Sequence, residues 1–266
     1  MSSGTVIVSG GTFGLGREVA LTLAEKGWSV VAFGLESAQV SSVAQNAIPA
    51  LREEARERGL DIELLEADVS SESDIERVVE TALRRSGRIE GLVNNAAIGP
   101  LGTVLDTAPD LWDRIMAVNL RGPYLMARAV FPHMAAQGGG SVVNVGSGSG
   151  WGKPNMAAYS ASKGGIFALS AALALDHFHD RIRVNTVVPG GGGIVAGMSL
   201  GRVGGDMAKL GPTAVGTVAG RPANGYDMGN VIAFLLSPEA EAISGTIVDV
   251  GCFAHQGSSE PLKRTR

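Results

Sequence analysis

At 266 residues, 45% hydrophobic and 18% charged, the chain has ample apolar material for one large core, which excludes a disordered or tail-dominated protein. The net charge of −4 comes without a basic block, which argues against a nucleic-acid surface, and the single cysteine, Cys252, excludes a disulfide framework and a cysteine zinc site. No apolar run reaches the ~18 residues of a membrane span and no leader pattern precedes the first strand, so no membrane association is expected and a cytoplasmic location is.

Short β-branched runs at 5–8, 29–33, 62–66, 91–94, 141–145, 182–188 and 246–250 alternate with segments of helical spacing. The helical segments are 15–26, ending at Gly27, and 48–58, ending at Gly59, followed by 72–86, 110–134, 157–178 and 228–236. Alternation repeated this often predicts an α/β protein with a parallel sheet covered by helices on both faces. The stretch 190–225 is glycine-rich, carries Pro212 and Pro222, and shows no element of its own; a mobile substrate loop is expected there. Val195, Met198, Leu200, Val203, Met207 and Leu210 would give it an apolar lining, with Arg202, Asp206 and Lys209 among them. The polar tail 257–266 reads as a frayed terminus. The histidines His133, His177, His179 and His255 are scattered, and no metal site is expected.

Glycine is the compositional outlier: 38 residues, about twice the usual share, with no collagen period. Directly after the first strand stands Ser9-Gly10-Gly11-Thr12-Phe13-Gly14-Leu15-Gly16, then a helix. A strand-to-helix turn of this kind lets backbone approach a pyrophosphate and aims helix N–H groups at it, although an unliganded glycine turn has the same local pattern. Dinucleotide folds usually place an acidic residue at the end of the second strand for the ribose hydroxyls. Here that position falls at Gly34, with Leu35 and then Glu36 after it. No Lys or Arg lies between Lys26 and Arg52 to receive a 2′-phosphate, so NAD is expected over NADP, with Arg17 and the hydroxyls of Ser37, Ser41 and Ser42 as routes to the opposite outcome.

Tyr159 and Lys163 are four apart in a helical segment and share a face. An ammonium beside a phenol favours the phenolate over a neutral phenol of pKa ~10, which suits acid/base work. Ser147, just beyond the fifth strand, can polarise a substrate oxygen. Taken singly, these residues are equally a part-buried aromatic, a surface cation and a loop hydroxyl.

Taken together with their neighbours, they resemble the short-chain dehydrogenase/reductase family over residues 5–251. The cofactor loop is similar to T-G-x-x-x-G-x-G with Ser9 for Thr, and Asp68-Val69 to the dipeptide whose Asp contacts adenine. Asn94-Asn95-Ala96-Ala97 is similar to N-N-A-G with Ala97 for Gly. Asn119 matches the N-x-x-G helix site, Ser147, Tyr159 and Lys163 the Ser and Y-x-x-x-K motifs, and Pro189-Gly190 the P-G after the sixth strand. The resemblance implies one dinucleotide-binding domain over 1–266, built on a doubly wound, Rossmann-type, seven-stranded parallel sheet. It implies Tyr159 as acid/base, Ser147 as orienting donor, Lys163 as ribose ligand and partner of Tyr159, and Asn119 as holder of a water leading to Lys163. It assigns the dinucleotide to Gly10, Thr12, Phe13, Gly14, Leu15, Glu36, Asp68, Val69, Asn95, Ala96, Tyr159, Lys163, Pro189, Gly190 and Ile194.

Two features depart from the family pattern: Gly191–Gly193 and a missing Thr after Pro189-Gly190, and a long connection over 36–49. The expected activity is hydride transfer between NAD, or NADP, and an alcohol or ketone. An NADPH-dependent 3-oxoacyl-thioester reductase is the alternative enzyme, and a non-catalytic dinucleotide sensor the alternative outside enzymes. A small-molecule substrate and a homodimer or homotetramer complete the expectation.

Overall fold

The computed structural model describes residues 4–36, 46–189, 198, 220–221 and 223–250. Gly190, Ile194 and nearly all of the expected loop 190–225 lie outside the described residues, as do Ser37, Ser41, Ser42, Cys252, His255 and the tail.

Seven strands form one parallel sheet in the order β3-β2-β1-β4-β5-β6-β7: β1 Thr5–Ser9, β2 Ser29–Gly34, β3 Ile62–Glu66, β4 Ile89–Asn94, β5 Gly140–Val145, β6 Ile182–Val188 and β7 Ile247–Asp249. The inner strands are buried on both faces because helices cover both. On one side Val6 and Val8 pack with α1 (Gly14–Glu25) and α7 (Gly225–Leu236) through Val19, Leu23, Met228 and Ile232. On the other, Ile7 packs with α3 (Glu72–Ser86) and α5 (Gly122–Ala136) through Ile75, Val78, Met126 and Val130. Helix α2 (Ala47–Glu57) joins the first layer through Ile48 and Leu51, and α6 (Ala157–Asp176) the second through Ala174.

The predicted helix 110–134 is three pieces. Helix α4 (Pro109–Met116) runs into a π-helical turn, Ala117–Arg121, and then into α5. A π turn inserts a residue into the ladder and re-aims the side chains around it; here the re-aimed side chain is that of Asn119.

The strand order runs outward in both directions from β1 and β4, so the crevice beyond their C-terminal ends is the topological switch point, where such sheets bind ligands. A buried polar row crosses the sheet at that level: Ser9, Asn94, Asn144 and Thr186 are register neighbours on β1, β4, β5 and β6.

Candidate active site

At the crevice, Ser9 ties β1 to β4. Its Oγ accepts the N–H groups of Asn95 and Ala96 at 3.0 and 3.2 Å, tying the end of β1 to the chain leaving β4. Asn95 answers with its side chain, donating Nδ2 to Ser9 O and Gly10 O at 3.1 and 3.0 Å. The packing leaves no room for side chains: a Cβ at position 16 would stand 2.0 Å from Gly10 O. Helix α1 begins at this turn with Phe13 as an extended cap residue that makes no side-chain capping bond, and no acidic residue in its first turn. Its first N–H groups therefore face the crevice with a positive helix end and close backbone approach, which suits a pyrophosphate. Thr12 and Leu15 are buried, so they and Phe13 offer the crevice mainly backbone.

The adenosine side is pre-arranged as well. Asp68 lies just past β3, and its Oδ1 accepts both the N–H and the hydroxyl of Ser70, at 2.8 and 2.7 Å. That holds the carboxylate in one orientation with Oδ2 available to a ligand donor. Val69 is a core residue packed over Gly122, so its contribution would be its backbone. From β3 to β5 is four strand spacings, roughly 19 Å, so Asp68 and Ser147 lie at opposite sides of the crevice.

At the end of β2 a side chain at position 34 would place its Cβ 2.5 Å from Thr12 Oγ1, so glycine stands where an acidic residue was expected. Glu36 lies just beyond β2, and its Oε1 accepts the N–H of Ile48 in the first turn of α2 at 2.7 Å. Its carboxylate thus caps α2, leaving the other oxygen for a ribose hydroxyl. Arg17 is committed elsewhere: its guanidinium donates to Glu18 at 2.6 Å and to Glu54.

The reactive constellation forms at the start of α6. Tyr159 is 7% exposed and Lys163 3% exposed, with Nζ 5.9 Å from the Tyr159 ring centroid. Lys163 Nζ donates to Val145 O, the last carbonyl of β5, at 2.7 Å. Burial pushes its pKa down from 10.5 to about 8. Two residues beyond Val145, Ser147 is the extended residue capping a 3₁₀ turn, Gly148–Trp151. Its Oγ accepts Ser149 N–H at 3.1 Å, which leaves the hydroxyl proton for a substrate oxygen.

Asn119 is fully buried and acts as a cross-brace. Its Oδ1 accepts Ile98 N–H and its Nδ2 donates to Ile98 O, both at 2.8 Å, with Nδ2 also donating to Ser162 Oγ at 3.0 Å. Ser162 Oγ in turn donates to Tyr159 O at 2.7 Å. The side-chain amide is therefore engaged with protein partners at both its oxygen and its nitrogen. Ile98 and Ser162 were missed in the sequence; the small polar residue beside Lys163 was the available signal. Pro189 lies directly past β6, at the same rim.

The family model for short chain dehydrogenases matches residues 4–198. The chain belongs to the short-chain dehydrogenase family. Among the relatives of this short-chain dehydrogenase, the cyclopentanol dehydrogenase of Comamonas testosteroni is 35% identical over 257 residues, covering 94% of this chain and 97% of its own. The 2-(S)-hydroxypropyl-CoM dehydrogenase 3 of Xanthobacter autotrophicus is 37% identical over 188 residues, 67% of this chain and 71% of its own. Among solved structures, levodione reductase superposes with a TM-score of 0.83 at 28% identity, over 97% of this chain and 100% of that one. A variant of actinorhodin polyketide ketoreductase, solved with NADPH, gives 0.81 at 26%, over 95% and 97%. The chain is thus an oxidoreductase of a family that uses nicotinamide dinucleotides. No helix among the described residues is long and apolar enough to cross a membrane.

Proposed function

We propose that this protein is an NAD-dependent dehydrogenase/reductase that interconverts secondary alcohols and ketones, with Tyr159 as the acid/base. The observation that carries the reading is the convergence of Ser147, Tyr159 and Lys163 at the rim of the crevice, each already held by a partner. Ser147 has its oxygen engaged and its proton to give; Lys163 is a buried cation beside the phenol. Bound NAD or NADH would accept or supply the hydride at the carbinol carbon. In oxidation Ser147 would hold the substrate oxygen while Tyr159 takes its proton; reduction reverses the transfer. Lys163 would favour the ionised phenol and reach the ribose, and Asn119 would keep the π turn, Ile98 and α6 in mutual register. A single domain in an aqueous, reducing compartment such as the cytoplasm suits this chemistry. Spectrophotometric turnover of NAD(H) with a panel of secondary alcohols and ketones, cyclopentanol included, tests the reading. NAD binding without turnover of any of them would favour a sensor instead.

The preference for NAD follows from the adenosine side. A 2′-phosphate brings about two negative charges, whose burial unpaired costs several kcal/mol. The carboxylate of Glu36 stands at the β2 end, and Arg17 is paired with Glu18 and Glu54. We expect kcat/KM with NAD to exceed that with NADP by at least about tenfold, or about 1.4 kcal/mol. Glu36→Ala should narrow that ratio and also lower the melting temperature, because the cap on α2 goes with it. A higher kcat/KM with NADP in the unmodified protein overturns the preference and leaves the acid/base assignment standing. The same missing cation places the NADPH-dependent 3-oxoacyl-thioester reductase second.

A homo-oligomer, dimer or tetramer, is the expected assembly. An open apolar groove of about 410 Å³ lies between the π turn, α5 and α6, lined by Met116, Leu120, Arg121, Tyr124, Gly165 and Leu169. Closed symmetric pairing of this face would cover it. Light scattering should give a multiple of the 27.3 kDa chain mass at micromolar concentration, and the single-chain mass there would refute the expectation.

A further inference from the structure

The chain from Asn95 to Gly102 crosses the site as a strap fastened at three points. Asn95 is bonded to the β1 turn, Ile98 to Asn119, and Gly102 to the entry of α6, with Gly102 N donating to Asn155 O at 2.9 Å and Ala157 N to Gly102 O at 3.4 Å. The Ser147 turn opposite is just as fixed: Gly150 N donates to Ser147 O at 2.9 Å, and a Cβ at Gly150 would strike the Phe167 ring at 2.5 Å. Met156 touches both segments, by its backbone on the Gly102 side and by its side chain on the Ser147 side. It is the cap residue of α6, three before Tyr159, and it pairs in a bridge with Gly102, which presents no side chain to it. Its Sδ accepts the Ser149 hydroxyl at 3.5 Å, so the side chain extends from the helix start to the very turn that carries Ser147. It is half-buried, with part of its surface still accessible.

We infer that Met156 sets which substituents beside the reacting carbon are accepted. The inference rests on the alcohol/ketone reading above and deepens it. A substrate oxygen held between Ser147 and Tyr159 has its carbon skeleton near the residue that reaches from the start of α6, three before Tyr159, to Ser149 in the turn that Ser147 caps. The thioether carries no proton donor, so it leaves the substrate oxygen to Ser147 and Tyr159. Being unbranched and polarisable, it can re-pack against groups of different shape where the tied backbone on either side cannot. The substrate class is therefore a secondary alcohol or ketone with an apolar substituent, its size limited at Met156.

The test compares kcat/KM for cyclopentanol and for a bulkier cyclic secondary alcohol in the unmodified protein, Met156→Leu and Met156→Ala, with NAD dissociation constants measured alongside. Met156→Ala should raise the bulky-to-small ratio by about tenfold, the scale on which a few methylenes discriminate in an apolar pocket. Met156→Leu, which keeps volume, should hold the ratio within about twofold. A ratio unchanged in Met156→Ala, with NAD bound as in the unmodified protein, overturns the inference. Should Met156→Ala fail to fold by thermal melt, Met156→Val carries the same comparison, with the same expected direction. Failure of the underlying reading looks different: the unmodified protein itself binds NAD and turns over neither alcohol.

Discussion

Tyr159→Phe should lower kcat by about 10³-fold, within the range general acid/base groups contribute, while the protein still binds NAD. The ring is what packs at the start of α6, 7% exposed, and phenylalanine keeps it. Lys163 keeps its place too, because its ammonium donates to Val145 O. The substitution therefore removes the proton carrier while keeping the ring. A companion variant, Ser147→Ala, removes the hydroxyl that would hold the substrate oxygen but leaves a proton acceptor in place, so its loss should be smaller and should extend to KM. Single-turnover measurements with bound NAD separate the two: loss in the hydride-transfer step for Tyr159→Phe, loss shared with substrate binding for Ser147→Ala. Turnover within tenfold of the unmodified protein in Tyr159→Phe would remove Tyr159 as the acid/base.

What was legible in the chain was whatever depends on local pattern. β6 appears at its predicted bounds because its β-branched residues, Ile182, Val184, Thr186, Val187 and Val188, mark the run whatever polar residues it includes, and α3 because Ser71 caps it and Gly87 ends it. The constellation was legible because four-residue spacing on a helix fixes a shared face whatever lies around it. What depended on distant partners was not. The π turn at Asn119 exists where Ile98 offers both its N–H and its C=O, and nothing within 110–134 announces that. Glu36 read as a ribose ligand, and its bond to the N–H of Ile48, twelve positions on, follows from no local pattern. Met156 reads as one more apolar residue before a helix; its meaning comes from Gly102 and Ser149, each brought to it by the fold. In the sheet, polar Asn144 and Thr186 inside apolar runs were a visible anomaly. The fold resolves it through Ser170, whose hydroxyl accepts from both at 2.8 Å and donates to Ile166 O.

Lys163→Met should inactivate the protein and make it more stable near neutral pH. The lysine is 3% exposed, and burial pushes its folded pKa down to about 8 from 10.5. Below about 8 both folded and unfolded chains carry the proton, and the full cost of burying the charge weighs against folding. Between about 8 and 10.5 the unfolded chain holds a proton the folded one has released, so this group makes stability rise with pH. Above 10.5 both forms are neutral and the cost is gone. A depression of that size corresponds to roughly 3 kcal/mol. Methionine removes the cost but leaves Val145 O without its donor, a loss of about 1 kcal/mol. The net expectation near pH 7 is a gain of about 2 kcal/mol, shrinking as pH rises through 8 and reversing by about 10.5. Urea unfolding of both proteins across this range gives the difference directly, free of every other titrating group they share. A variant less stable than the parent near pH 7, with a parallel pH dependence, would show that Lys163 is not held against its own solvation. The gain in stability with loss of turnover would mark the buried ammonium as kept for chemistry at the expense of the fold.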